Sequence, residues 1–192
     1  MPSVRGLVLI SRLDYLEMRF GTDIHREFLR KISTESINFI RQPLESAMSY
    51  PDTMLSTIDQ ILLEDFFNSE VQEFKTLGKW SANNFMYRFF SQYVDEAQPV
   101  EFLAQYGRLR YHLIGAGEMT MQVRKPAVLD LAIDYGQKIP RSVCLSEQGF
   151  IEGGLELCGA QQVDLREESC ASTSEDFTCH FSVQFRSADS SL

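Results

Sequence analysis

The sequence has no apolar run near the roughly 20 residues that cross a bilayer, so we expect no membrane span. We expect no signal peptide, because Ser11, Arg12 and Asp14 break the first apolar stretch and no small-residue cleavage site follows. The sequence also lacks an excess of basic residues. The net charge of −9 argues against nucleic acid as the main partner. We therefore expect a cytoplasmic protein whose cysteines remain thiols or bind metal.

Local basic groups do occur at Arg108, Arg110, Arg124 and Lys125, and we interpret them as a solvated face.

Catalytic motifs are absent as well. The three histidines, His25, His112 and His180, lie on separate predicted elements. The sequence contains no HExxH motif and no Ser-His-Asp order. The glycines at 115 and 117 are too few for a phosphate-binding loop and do not follow a predicted strand. These absences predict a protein that is not an enzyme.

The 192 residues show helical periodicity followed by alternating patterns. Helices are predicted over residues 4–20, 22–32, 51–66, 70–94, 98–114 and 141–159. Met119, Met121 and Val123 alternate on one side of a turn, and a second hairpin spans 161–185. These patterns predict an α+β fold with a four-stranded antiparallel sheet packed against a helical layer. We expect a single domain over residues 1–186 and a flexible tail over 187–192.

The predicted helix over residues 70–94 is apolar on two faces. One face includes Phe85 and Phe89, and the other includes Trp80, Tyr87 and Phe90. Two apolar faces indicate two packing partners, here the sheet and a second subunit, which predicts a homodimer. A helix buried within one subunit is the alternative.

All four cysteines lie within the last fifty residues. Cys170 and Cys179 flank the loop of the second hairpin, and Glu167 precedes it. Two thiolates and a carboxylate would suit Zn²⁺. Cys144 and Cys158 are 14 residues apart on one predicted helix, about 21 Å, so only one of them can join such a site.

Two features complicate a metal site. Glu167 and Cys170 would point to opposite faces of a regular strand, so a shared metal requires a bulge or a strand end between them. His180 points away from the face that carries Cys179, which makes it the weaker ligand candidate. The alternative is that the cysteines are small buried hydrophobic residues.

The C-terminal region resembles the V4R (4-vinyl reductase) domain, whose fold is shared with the Bet3-like subunits of the TRAPP complex. The residues that carry the resemblance are Cys144, Gly149, Glu152, Leu155, Glu167, Cys170, Phe177, Cys179 and Phe181. The earlier part resembles an uncharacterised V4R-related family common in myxobacteria. Carried over by position, the resemblance implies a structural zinc held by Cys144, Glu167, Cys170 and Cys179, with Cys158 outside the site.

The resemblance implies a non-enzymatic sensor that binds a hydrophobic or aromatic molecule and signals to a partner protein. The predicted pocket residues are Phe85, Phe89, Tyr106, Tyr111, Met119 and Met121, although aromatic and methionine side chains in such numbers also fill ordinary cores. One alternative is a dimeric scaffold without a small ligand. Another, suggested only by the family's name, is an accessory enzyme or carrier in tetrapyrrole metabolism.

Overall fold

A computed structural model describes residues 3–35, 43–94 and 98–186. Six helices and six strands occur in these ranges. The helices are α1 (Gly6–Phe20), α2 (Thr22–Glu35), α3 (Asp52–Ile61), α4 (Glu73–Phe89), α5 (Pro99–Ile114) and α6 (Arg141–Leu157). The strands are β1 (Ser3–Arg5), β2 (Ser49–Pro51), β3 (Glu118–Lys125), β4 (Val128–Asp134), β5 (Gln161–Ser169) and β6 (Thr178–Arg186). The helices and the two C-terminal hairpins therefore lie where the sequence periodicity predicts them.

The chain divides into two compact units, Met1–Glu70 with His112–Gly115, and Val71–Tyr111 with Ala116–Leu192. The prediction of a single domain over residues 1–186 remains a prediction, and the predicted tail lies outside the described residues. No helix of the described residues is long and apolar enough to cross a membrane.

The first unit is built from α1, α2 and α3 with the short antiparallel pair β1–β2. Its core contains Leu9 and Leu16 of α1, Phe28 of α2 and Ile58 of α3, all almost completely buried. α3 continues into a π-helical turn at Leu62–Phe66.

The second unit contains the four-stranded antiparallel sheet, in the order β3-β4-β6-β5. Leu129, Leu131 and Ile133 of β4 are buried, whereas Val128, Asp130 and Ala132 between them are only half-buried. This alternation reflects the period of two along a strand. It confirms the predicted architecture of a four-stranded antiparallel sheet with helices.

The helices α4 and α6 approach each other closely because glycines face the contact. A Cβ atom added to Gly78 would lie 1.9 Å from the carbonyl oxygen of Ser146. A Cβ atom added to Gly149 would lie 1.9 Å from the carbonyl oxygen of Lys75. The contact fixes the position of α6, the helix that carries Cys144 and Glu147.

The ends of α6 are defined by local sequence. Pro140 precedes its first residue with an extended backbone. Gly159 follows its last turn at φ +85°, a left-handed conformation that glycine adopts without strain. The predicted stop at Gly159 is confirmed, and Cys144 lies in the first turn of the helix, near the sheet.

Candidate functional site

Three thiols meet where α6 begins and the β5–β6 hairpin ends. Cys144 comes from α6, Cys170 immediately follows β5, and Cys179 belongs to β6. All three side chains are buried. We call these three residues the thiol cluster. The structure thus brings together cysteines from three separate elements.

The sulfur atoms are in direct contact. Cys170 Sγ lies 2.8 Å from Cys144 Sγ, and Cys179 Sγ lies 3.4 Å from Cys144 Sγ. With a carboxylate oxygen of Glu167, the three sulfurs form a group whose atoms all lie within 4.8 Å of one another. Cys144 is therefore the central thiol.

A register shift in the sheet allows this meeting. The pairing of β5 with β6 is regular from Asp164 to Glu167 and shifts between Glu167 and Ser169. The shift removes the strict alternation that would place Glu167 and Cys170 on opposite faces. The bulge or strand end that the sequence requires is present.

The fourth cysteine and the nearby histidine stay outside the group. Cys158, at the end of α6, is fully buried, and its sulfur lies 3.9 Å from the carbonyl oxygen of Tyr93. His180 is exposed on the other face of β6 and lies 3.8 Å from an Asp176 carboxylate oxygen. Both positions agree with the sequence-based expectation.

Glu167 has a partner of its own. Arg141 Nη1 donates a hydrogen bond to its Oε1 at 2.5 Å. Glu167 is partly buried, and the ion pair satisfies its charge beside the thiols. The carboxylate thus links the start of α6 to β5 through Arg141.

Contacts within the thiol cluster shift the pKa values of two of its thiols. The hydrogen bond with Cys179, together with burial, raises the pKa of the Cys144 thiol far above its usual range. The same hydrogen bond lowers the pKa of Cys179. The two thiols therefore titrate as a linked pair.

A second buried cluster lies between α5, α6 and the end of β4. Arg110 Nε donates a hydrogen bond to Glu147 Oε1, and Arg110 Nη2 lies 3.3 Å from Glu147 Oε2. The hydroxyl of Tyr106 donates a hydrogen bond to Glu147 Oε1 at 3.1 Å, and the hydroxyl of Tyr135 donates one to Glu147 Oε2. We call Tyr106, Arg110, Tyr135 and Glu147 the Arg–Glu cluster.

The Arg–Glu cluster has its remaining donors satisfied by the backbone. Arg110 Nη1 donates to the carbonyl oxygens of Ala116 and Gly117, at 2.9 and 2.7 Å. Burial, followed by the Glu147 charge, raises the pKa of Tyr106 and of Tyr135 well above the ordinary value. Both phenols are neutral donors at physiological pH.

Our interpretation of Arg110 as part of a solvated basic face is wrong. Its side chain is completely buried. The sequence could have predicted this burial, because Arg110 lies one helical turn after Tyr106, on the stripe of α5 that also carries Leu103 and faces the core. A charge on an apolar stripe indicates a buried partner.

The predicted pocket residues lie in different environments. Phe85 and Tyr106 are buried, and Met119 and Met121 of β3 are half-buried. Phe89 and Tyr111 are exposed. The phenol of Tyr106 belongs to the Arg–Glu cluster, so it is not free to face an apolar ligand. The pocket remains a prediction.

The predicted dimer residues belong to an aromatic series on α4. The Trp80 ring packs edge-on against Phe85 at 5.8 Å between centroids, and Phe85 stacks on Phe89 at 5.7 Å. Phe89 and Phe90 follow at 6.4 Å. Tyr87, half exposed, lies on the same helix. The two apolar faces predicted for this helix are thus in contact through Trp80 and Phe85.

An open groove of about 570 Å³ lies on the sheet and includes its outer face. Charged and polar side chains in its lining include Arg124, Asp130, Glu168 and His180. Arg124 and Asp130 form an ion pair, and Glu168 accepts a hydrogen bond from Ser182 at 3.0 Å. Apolar side chains, among them Met121 and Leu131, line the groove together with these charged groups, so it differs from the wholly apolar pocket predicted from the sequence.

No protein-family model matches the chain, and no curated protein matches it at significant similarity. Solved structures do match over nearly the whole length. An H-NOX protein from S. oneidensis in the Fe(II)NO ligation state has a TM-score of 0.70 and 17% identity, covering 95% of this chain and 99% of that chain. An unliganded Fe(II) H-NOX mutant from K. algicida has a TM-score of 0.71 and 17% identity, and the match covers 96% of this chain and 97% of that chain.

An oxygen-binding H-NOX domain related to soluble guanylate cyclases has a TM-score of 0.72 and 14% identity, covering 96% of this chain and 95% of that chain. These likenesses overturn the V4R and Bet3-like assignment. The zinc cofactor inferred from that assignment is wrong as well, since the matching proteins are described by their iron and haem. The chain has the H-NOX fold.

Proposed function

We propose that this chain is a non-enzymatic sensor module that binds a small molecule and signals to a separate protein. The observation that carries the proposal is the match to H-NOX structures over 95 to 96% of the chain. One of those structures is an oxygen complex and another carries NO. The match supports small-molecule sensing by analogy of fold, and the site must then show which molecule is sensed, because one fold can carry many functions.

Haem, the group that binds gas in those proteins, requires an axial ligand from the protein, most often His, Cys or Tyr. Every histidine and cysteine of the sequence lies among the described residues. His25 Nδ1 faces Glu17 Oε2 at 3.2 Å. Its Nε2 has no hydrogen-bond partner in the described residues, and it is buried so completely that no water-sized group can touch it. Iron cannot reach that nitrogen without local rearrangement.

The other two histidines are exposed. His112 lies in the last turn of α5, and its carbonyl oxygen accepts a hydrogen bond from Arg5. His180 lines the open, charged groove on the sheet. A porphyrin face is apolar, and cofactor sites are enclosed and mostly apolar. Neither histidine offers that environment.

The thiols and the buried phenol of Tyr106 are engaged elsewhere. Three thiols contact one another in the thiol cluster, and Cys158 is fully buried at the end of α6. The buried phenol of Tyr106 donates to Glu147 and stays protonated. The residues present therefore do not fit haem, and we assign the sensed molecule to another chemical class.

Four of the residues predicted to line an apolar pocket indicate that class. Met119 and Met121 remain half-buried on the core side of β3, and Tyr111 and Phe89 expose aromatic surface. Such surface favours a hydrophobic or aromatic ligand over a charged one. A dimeric scaffold without a small ligand is the alternative outcome of the test.

The test is thermal unfolding of the purified protein with a panel of aromatic and fatty molecules, together with mass spectrometry of an organic extract. A ligand at 100 times its Kd stabilises the folded state by about 2.7 kcal/mol. We expect at least one apolar ligand to raise the melting temperature in a concentration-dependent manner. Met121→Asp should abolish the shift, whereas Gln122→Asp, on the other face of β3, should not.

An unchanged melting temperature with every ligand, together with an empty extract, would contradict the sensor proposal. That outcome would favour the scaffold.

A further inference from the structure

We propose that the thiol cluster is an oxidation site, at which hydrogen peroxide converts Cys144 and Cys170 into a disulfide. The bond would give the proposed sensor a second input. The proposal depends on the cluster's geometry and does not require that any apolar ligand binds.

The geometry favours the Cys144–Cys170 pair. Their sulfurs are 2.8 Å apart, so less than 1 Å of movement brings them to the bonded distance of about 2.05 Å. The Cys144–Cys179 distance is longer, at 3.4 Å. Cys158 lies at the other end of α6 and cannot reach either partner.

Solvent exposure favours Cys170 as the thiol that reacts first with peroxide. It is 7% exposed, whereas Cys144 and Cys179 are 1% and 0% exposed. The Cys170 sulfur lies beside the Ser172 hydroxyl, at 3.0 Å, in the loop that follows β5. A molecule as small as peroxide would therefore reach Cys170 first and leave the two deeper thiols to respond.

The two steps balance. The Cys170 sulfur attacks one peroxide oxygen, the O–O bond breaks, and Cys170 becomes a sulfenic acid with release of one water. The Cys144 sulfur then attacks the Cys170 sulfur. The S–S bond forms, the S–O bond breaks, and the leaving hydroxide takes the Cys144 proton to give a second water. The two thiols lose two electrons, and peroxide gains them.

The bond would join the start of α6 covalently to the loop that follows β5. Cys144 lies in the first turn of α6, and Cys170 lies at the start of the hairpin loop. One turn later on α6, Glu147 holds α5 through Arg110. Oxidation would therefore fix the hairpin loop to the helix that also anchors the Arg–Glu cluster.

The sequence makes the bond easy to locate. Trypsin cuts after Arg141, Arg166 and Arg186, so Cys144 and Cys158 fall in one peptide and Cys170 and Cys179 in the next. A Cys158→Ser/Cys179→Ser double variant leaves a single cysteine in each peptide. A cross-link between the two peptides of that variant can only join Cys144 to Cys170.

The experiment treats the reduced double variant with peroxide, digests it without reductant and measures the peptides by mass spectrometry. We expect a linked pair that dithiothreitol separates. In the unsubstituted protein we expect the same linked pair, and we expect the oxidised form to have a higher melting temperature than the reduced form. Cys158→Ser should behave like the unsubstituted protein, and Cys170→Ser should lose the link and the shift.

Unlinked peptides in both proteins after peroxide treatment would overturn the proposal. A link that survives in Cys170→Ser would overturn the assignment of Cys170. Neither outcome bears on the ligand panel above, so the failure of this inference is distinguishable from failure of the proposed function.

Discussion

Arg110 and Glu147 form an ion pair in which both side chains are almost completely inaccessible to solvent. Two charges leave water at a cost of several kcal/mol each, so such a pair persists only with full hydrogen bonding. Here two tyrosines and two backbone carbonyls complete the network.

The first prediction concerns this pair. Replacing one partner leaves the other as an uncompensated buried charge, so Arg110→Met should lower the free energy of unfolding by about 3 to 5 kcal/mol. Arg110→Met/Glu147→Leu should recover a large part of the loss. Urea denaturation measures both values.

The exposed ion pair of Arg124 and Asp130 is the matched control. Arg124→Met should change the free energy of unfolding by less than about 1 kcal/mol. Equal losses for Arg124→Met and Arg110→Met would show that the buried network has no special role.

The second prediction concerns alkaline pH. The folded pKa values of Tyr106 and Tyr135 are raised above those of the unfolded chain, so the folded state holds protons that the unfolded state releases above about pH 10. The stability that these phenols contribute is fully present below pH 10 and falls as pH rises beyond it. Each contributes a slope that steepens through pH 10 toward a limit of about −1.4 kcal/mol per pH unit.

Denaturant unfolding between pH 9 and 11 measures that slope. Tyr106→Phe should make it shallower than in the unmodified protein, because one of the two phenols is gone. Tyr111→Phe, which removes an exposed phenol outside the Arg–Glu cluster, is the control. A slope that responds equally to both substitutions would contradict the assignment.

The third prediction concerns the contact of α4 with α6. Gly149→Ala would place a Cβ atom 1.9 Å from a backbone oxygen of α4, so the helices would have to separate. We expect a loss of about 2 kcal/mol or more in the free energy of unfolding. Gly107→Ala is the control, since its Cβ would meet Met119 at an ordinary 3.5 Å.

Gly107→Ala lies within a helix and should stabilise the protein by about 0.5 to 1 kcal/mol. Calorimetry of the two variants distinguishes them by the sign of the change. A stabilising Gly149→Ala would mean that the helices are farther apart than described.

The fourth prediction is the homodimer, with Trp80, Tyr87 and Phe90 in its interface. Tyr87 exposes half of its surface on a helix whose aromatic series continues to Tyr93. Sedimentation equilibrium should give twice the monomer mass at micromolar concentration, and Tyr87→Glu should give the monomer. A monomer before any substitution would refute the prediction.

The fold was largely predictable because periodicity reports which face of an element is buried. The alternation of Met119, Met121 and Val123 correctly predicts β3. α4 is shorter than predicted, because the helix ends at Phe89 and a 3₁₀ turn, Ser91–Tyr93, follows. Aromatic residues continue the apolar pattern past that end, so periodicity alone cannot locate it.

The candidate site was predictable in part. The thiol cluster follows from strand and helix geometry, which exclude Cys158 and require the bulge near Glu167. The Arg–Glu cluster does not follow, because Glu147 is 12 to 41 residues away in sequence from its three partners, which lie in α5 and just after β4. The family was assigned wrongly because a short cysteine and glycine pattern recurs on unrelated folds.

The central claim is that this H-NOX fold senses a small molecule other than a haem-bound gas. Titration of the purified protein with haemin, followed by its Soret absorption before and after gel filtration, tests it most directly. We predict no saturable binding at one equivalent and no Soret band that stays with the protein. A sharp band that saturates at one haem per chain, survives gel filtration and disappears in His25→Ala would contradict the account.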